Sequence, residues 1–268
     1  MFRLFQQTRQ KLISKDQSGK AGYRKPAHSR AWEYLLYALG EILLVVIGIL
    51  IAIQIDDWNQ ERIDRKALYE HLGKIRTHTL EDSYKLDSIT MGRRYISGLC
   101  KQARVRILDK TEDEDLILFM QCGAAFADFS FKPNTGGYES LKNSPYFGRM
   151  NNTPLDSLLT QYNRLLDDLA QNERSYNEFV VGQEAYLSTQ FDLSLILASA
   201  FVPQDSLMKR ATPQSEYTEV FKAYTASAPY RNVISLAAWQ LDQMVKQYGQ
   251  LKATGQKVIE EIDAITQE

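Results

Sequence analysis

The segment from Tyr34 to Ile55, YLLYALGEILLVVIGILIAIQI, constrains this chain more than any other stretch, because only Glu41 and Gln54 interrupt its apolar run. Between Ile42 and Ile53 no side chain is polar. A helix of about 22 residues extends about 33 Å, which matches a bilayer hydrocarbon core of about 30 Å. A core helix of a soluble protein is seldom apolar on every face over that length. The run begins too far into the chain for a secretory signal, and no small-residue cleavage pattern follows it. Tyr34 and Tyr37 at one end and Trp58 at the other fall where amphipathic rings settle, at the two membrane interfaces. The pattern predicts one transmembrane helix over residues 34–55.

That segment divides the chain into a head of residues 1–33 and a soluble region of residues 56–268, long enough for one globular domain. Residues 1–30 carry Arg3, Arg9, Lys11, Lys15, Lys20, Arg24, Lys25 and Arg30 against the single acid Asp16. Basic flanks stay in the cytoplasm and touch anionic lipid, and long domains translocate largely regardless of charge. The expected orientation is N-terminus inside and C-terminal domain outside. With a formal net charge of −1 over the whole chain, nothing global favours nucleic acid as a partner.

Within the span, Glu41 is the one ionisable group, and Gly48 and Ala52 stand in the small-xxx-small spacing that lets helices approach closely. These three residues are the candidates for packing against a partner helix or a second copy. The competing reading places the Glu41 carboxyl near the cytoplasmic interface, with no partner.

Beyond Trp58 the apolar spacing of threes and fours continues through Leu68, Leu72, Ile75, Leu86, Ile89, Ile96, Cys100, Ala103 and Ile107, with polar Thr79, Asp82 and Arg93 at intervening core positions. The membrane helix is expected to run on as one long stalk. A second run starts after Pro154, with Thr153 as its cap, and carries Leu155, Leu158, Tyr162, Leu165, Leu169, Tyr176, Phe179, Tyr186, Leu193 and Leu197, which predicts a helix of roughly 45 residues. A third run from Ile234 through Leu241, Tyr248 and Gly255 to Ile265 keeps an unbroken a/d seam of coiled-coil type. An apolar segment spans 116–131, a short helical patch sits at Tyr138 to Lys142, and a looser stretch covers 203–229. The fold class is all-α: a transmembrane helix continuing into a stalk, and an antiparallel helical bundle.

Chemistry-bearing motifs are sparse. Of three histidines, His28 lies in the head, and His71 and His78 share one face of the stalk. Ser206 and Lys209 have the Ser-x-x-Lys spacing of some acyl-enzymes, a spacing that chance also supplies, without the partner motifs of those enzymes. The acid run from Glu112 to Asp115 lacks the spaced ligands of a calcium loop and reads as a solvated turn. Gly136 and Gly137 read as a turn before a helix. No catalytic, metal-ligating or cofactor-binding residue is assigned, and no cofactor. Cys100 and Cys122 are the two cysteines, nearly symmetric about a hairpin turning within 110–115; they are either a disulfide or two buried thiols.

The block YLLYALGEILLVVIGILIAIQIDDWNQER, with Tyr37, Gly40, Glu41, Gln54, Trp58 and Asn59, resembles an uncharacterised family of Bacteroidota single-pass membrane proteins. GGYESLKNS at 136–144 is similar to that family's Tyr-x-x-Leu element downstream of the stalk; Asp56-Asp57 and Ser144-Pro145 depart from its usual Asn-Asn and Ser-Gly. The resemblance implies a helical domain of unknown function, anchored in a bacterial inner membrane with the domain in the periplasm. The leading reading is non-enzymatic: a tethered domain that binds a ligand or protein partner, as a sensor input or envelope-complex component. The alternatives are an envelope hydrolase or transferase with an unfamiliar site, and a purely structural anchor.

Overall fold

The computed structural model of the protein describes residues 27–111, 115–194, 196 and 214–267, and every regular element among them is helical. Helix α1, Ala27–Asp109, is uninterrupted. The chain divides into two units, one ending at Ile63 and one beginning at Asp64. In the first, every described side chain from Leu35 to Ile63 is exposed, and the most apolar window has a mean hydropathy of 2.7 with none of it buried. Arg62 places its guanidinium 5.9 Å from the centre of the Trp58 ring.

The second unit is a bundle built on α1 from Asp64 onward, α4 (Pro154–Leu187) and α6 (Ala228–Gln267). Ion pairs and hydrogen bonds fix the directions. Arg76 meets Asp263 at 2.6 Å, Asp87 meets Lys252 at 2.6 Å, and Ser97 donates to Asp242 at 2.6 Å, so α6 runs antiparallel to α1. Tyr162 lies beside Gly255 and Gln240 donates to the Asn172 carbonyl, so α6 is antiparallel to α4 as well. Helices α1 and α4 therefore run the same way, and the chain between them must travel back.

That return limb contains α2 (Leu116–Cys122), a 3-10 turn (Gly123–Phe126), an extended strap over residues 127–135, α3 (Gly136–Lys142) and a second 3-10 turn (Phe147–Met150). It descends along α1 residue by residue: Arg93 bonds Phe129, Asp82 bonds Asn134, His78 bonds Gly137, His71 bonds Ser140 and Asp64 bonds Arg149. The α1 end of the turn is a Schellman closure. Thr111 N–H reaches Arg106 O at 3.0 Å, Lys110 N–H reaches Ile107 O, and Lys110 takes the left-handed conformation at φ 58°.

The a/d seam of α6 is buried from Ile234 to Ile262 as its spacing predicts. Thr153 caps α4, accepting from Asp156 N–H at 3.2 Å, with Pro154 at the first helical position. Three expectations need correction. Helix α4 ends at Leu187, well short of 45 residues, because Ser188 and Thr189 turn their hydroxyls back onto the carbonyls of Ala185 and Tyr186. Its buried stripe is Leu155, Leu159, Tyr162, Leu166, Leu169, Glu173, Tyr176, Val180 and Leu187, so Phe179 and Tyr186 face outward. Within the stretch read as loose, Gln214–Ala226 forms helix α5.

Candidate functional site

Arg93 and Glu173 are charged residues at core positions, and they organise the middle of the bundle. Arg93 is 4% exposed; its Nη2 donates to the Phe129 carbonyl at 2.7 Å, and its guanidinium lies 5.6 Å from the ring centres of both Phe129 and Tyr176. Its Nε is buried without a hydrogen-bond partner among the described residues, so the ring faces supply part of the compensation for that cation. Glu173 is 1% exposed, accepting from the Phe131 N–H at 2.9 Å on one oxygen and from the Tyr248 hydroxyl at 2.5 Å on the other. Burial pushes the Glu173 carboxyl above its ordinary value, opposed by the Tyr248 hydroxyl, the Phe131 N–H and the Arg93 charge. The Tyr248 phenol is raised by burial and by its bond to Glu173.

These side chains hold the strap by its backbone. Asp82, buried beside Lys85, accepts the Asn134 N–H at 2.8 Å, and Asn177 reaches both Asp128 and the Phe129 carbonyl. The strap forms no ladder with another strand, and its Phe129 carbonyl, Phe131 N–H and Asn134 N–H bond side chains of α1 and α4 instead. Phe131 points inward from it, and a cleft opens on either side. One, of about 340 Å³, lies between Phe131, Tyr138, Asn163 and Asp167; the other, of about 480 Å³, lies between Phe131, Asp128, Arg174 and Asn177. Glu173 lines both. The walls offer carboxylates, amides, a phenol, an arginine and an aromatic face, a set suited to orienting a polar ligand by hydrogen bonds.

Below the strap, α3 is seated on the two histidines. His78 Nδ1 accepts the Gly137 N–H at 3.0 Å, and His71 Nδ1 lies 3.2 Å from Ser140 Oγ. A Cβ on Gly137 would stand 2.9 Å from Ile75 N, so the GGYESLKNS element depends on glycine for its close approach to the α1 backbone. The shared face of His71 and His78 is thus a helix-docking surface.

The residues singled out in the sequence fall in several places. Glu41, Gly48 and Ala52 lie on the exposed apolar part of α1, and a Cβ at Gly48 would meet nothing within 4 Å. Cys100 and Cys122 are both fully buried and free; the neighbouring Cys122 thiol, then burial, pushes the Cys100 thiol far up. Asp115 caps α2 by accepting from Leu118 N–H; residues 112–114, Ser206, Lys209 and the head through residue 26 lie outside the described residues. Sequence reasoning placed Arg93 in the core but missed Glu173 and the polar clamps on the strap.

A sequence model of a family of unknown function matches residues 41–209, which takes in the apolar segment from Glu41, the return limb and α4. No curated protein and no solved structure matches the chain.

Proposed function

The chain belongs to that family, DUF6090, and from this premise we propose that it is a single-pass protein of a bacterial inner membrane whose helical domain binds a polar ligand or a partner protein. Residues 1–33 are cytoplasmic, 34–55 cross the bilayer and 56–268 form the periplasmic domain. One observation carries the reading: the segment from Leu35 to Ile55 exposes every side chain, nearly all of them large and apolar. Leaving such a surface in water costs on the order of tens of kcal/mol, and a bilayer removes that cost. The basic head supports the orientation, and the two clefts sharing Glu173 support binding as the domain's role. Glu41, Gly48 and Ala52 are the residues through which the membrane helix would meet a partner or a second copy.

The test is extraction and proteolysis on the full-length chain in its native membrane. The protein is expected to stay with the membrane through an alkaline carbonate wash, and protease added to intact spheroplasts should digest the domain while sparing the head. Release by carbonate would overturn the anchor, and a domain protected until lysis would overturn the orientation.

A further inference from the structure

Cys100 on α1 and Cys122 at the end of α2 occupy the two arms of one helical hairpin, and both are 0% exposed. Cys122 is clamped on either side. Three residues before it, the Phe119 carbonyl accepts from Tyr230 Oη at 2.5 Å; three residues after it, the Ala125 carbonyl accepts from Tyr176 Oη at 2.7 Å. Cys100 sits between Ser97 and Lys101, which both bond Asp242 of α6. Contacts across the hairpin bracket the pair, Arg106 with Asp115 at 3.9 Å on one side and Arg93 with the Phe129 carbonyl at 2.7 Å on the other, and this register sets Cys100 opposite Cys122, both as free thiols.

We propose that Cys100 and Cys122 are a structural disulfide site, oxidised before the hairpin closes and then sealed inside the bundle. The proposal rests on the outward orientation of the domain, since periplasmic and extracellular compartments sustain disulfides. Two thiols lose two protons and two electrons; the acceptor is the disulfide of a thiol-exchange oxidant, which leaves as a dithiol after a mixed-disulfide intermediate. Both sulfurs are inaccessible in the folded domain, so the exchange takes place on the open chain. The bond closes a loop of about 20 residues and staples the return limb to α1 at the end where that limb begins.

The experiment counts thiols and maps topology separately on the full-length chain. Membranes are quenched with acid, unfolded in detergent and labelled with a mass-tagged maleimide with and without prior reduction, while spheroplasts from the same culture are treated with protease. The expected result is no tag before reduction and two after it, on a domain cleaved from outside. Cys100→Ala and Cys122→Ala should each gain one tag without reductant, which verifies that the label reaches a single thiol. Two tags without reduction on an externally cleaved domain overturn the disulfide and leave the topology standing. A domain shielded until lysis overturns the topology, and two tags there overturn the disulfide as well.

Discussion

Glu173 and Tyr248 face each other across the bundle, the carboxylate on α4 accepting from the phenol on α6 at 2.5 Å, with both side chains buried. Removing the hydroxyl leaves one buried carboxylate oxygen without its donor. An unsatisfied buried acceptor costs about 1–3 kcal/mol, with charged groups at the upper end. Tyr248→Phe keeps the ring in place, so a fall in urea unfolding free energy of that size is the expected outcome. A change below about 0.5 kcal/mol, the usual range for a neutral surface substitution, would deny the pair its role.

The same carboxyl gives a pH signature. Because folding raises its pKa, Glu173 holds its proton in the folded state at pH values where the unfolded chain has released it. Its contribution is complete below the unfolded value, about 4.3, and is lost as pH rises through the folded value. Asp242 runs the opposite way: Lys101 and Ser97 hold it below the usual range, so its contribution is present above the unfolded value and is lost as pH falls through the folded one. Subtracting the Glu173→Gln profile isolates the first effect. The stability advantage of wild type over Glu173→Gln should shrink as pH rises above the unfolded value of about 4.3. A flat or growing difference contradicts a raised pKa.

Gly137 and Gly136 make an internal comparison. A Cβ at 137 would lie 2.9 Å from Ile75 N and 3.0 Å from Lys74 C, backbone atoms that cannot swing away, whereas at 136 its nearest neighbour is the His78 ring at 3.6 Å. Gly137→Ala should cost about 1–3 kcal/mol and speed hydrogen exchange across α3. Gly136→Ala should leave both quantities near wild type. Equal effects from the two substitutions would mean that α3 does not sit directly on the α1 backbone.

Lys110 closes α1 in a conformation that favours glycine. Its φ of 58° carries a steric penalty of about 1–2 kcal/mol for a residue with a Cβ. Lys110→Gly relieves it, at some cost in unfolded-chain entropy. A net gain of about 0.5–1 kcal/mol in urea unfolding is expected, with Lys110→Val lowering stability. A loss on substitution by glycine would show that the Schellman closure does not govern this turn.

How much of this arrangement the sequence carries differs from helix to helix. Helix α6 is legible whole because its apolar positions alternate without a slip and one face alone is buried. Helix α4 offers two stripes, since Leu158 and Leu159, like Leu165 and Leu166, are adjacent; Glu173 belongs to the stripe that is buried, and a charged residue hides its own register. The seven-residue gap from Leu169 to Tyr176 marks where a core position is occupied by something other than an apolar residue. The strap is not legible at all. Its conformation is set by Asp82, Arg93 and Glu173, partners some 35 to 55 residues away, and local propensity carries no trace of them. His71 and His78 announce a shared face, but nothing in their spacing says that α3 docks on it.

The exposed apolar part of α1 supplies the last prediction. Glu41, Gly48 and Ala52 are separated by seven and four residues, which puts them on one face of a continuous helix. At Gly48 the chain itself places nothing within 4 Å of a Cβ, so an added side chain meets only what lies outside the chain. If that is a second helix, Leu at 48 forces the backbones apart and forfeits the close packing that drives association in lipid, while Leu at 41 removes a carboxyl able to hydrogen-bond across the pair. Gly48→Leu and Glu41→Leu should each reduce the oligomer or partner recovered by affinity capture from mild detergent extracts several-fold, with membrane insertion intact. Val46→Leu, on the opposite face, should leave recovery unchanged. If all three variants recover the same complex as wild type, association runs through the helical domain, and the surface to map next is the pair of clefts beside Phe131.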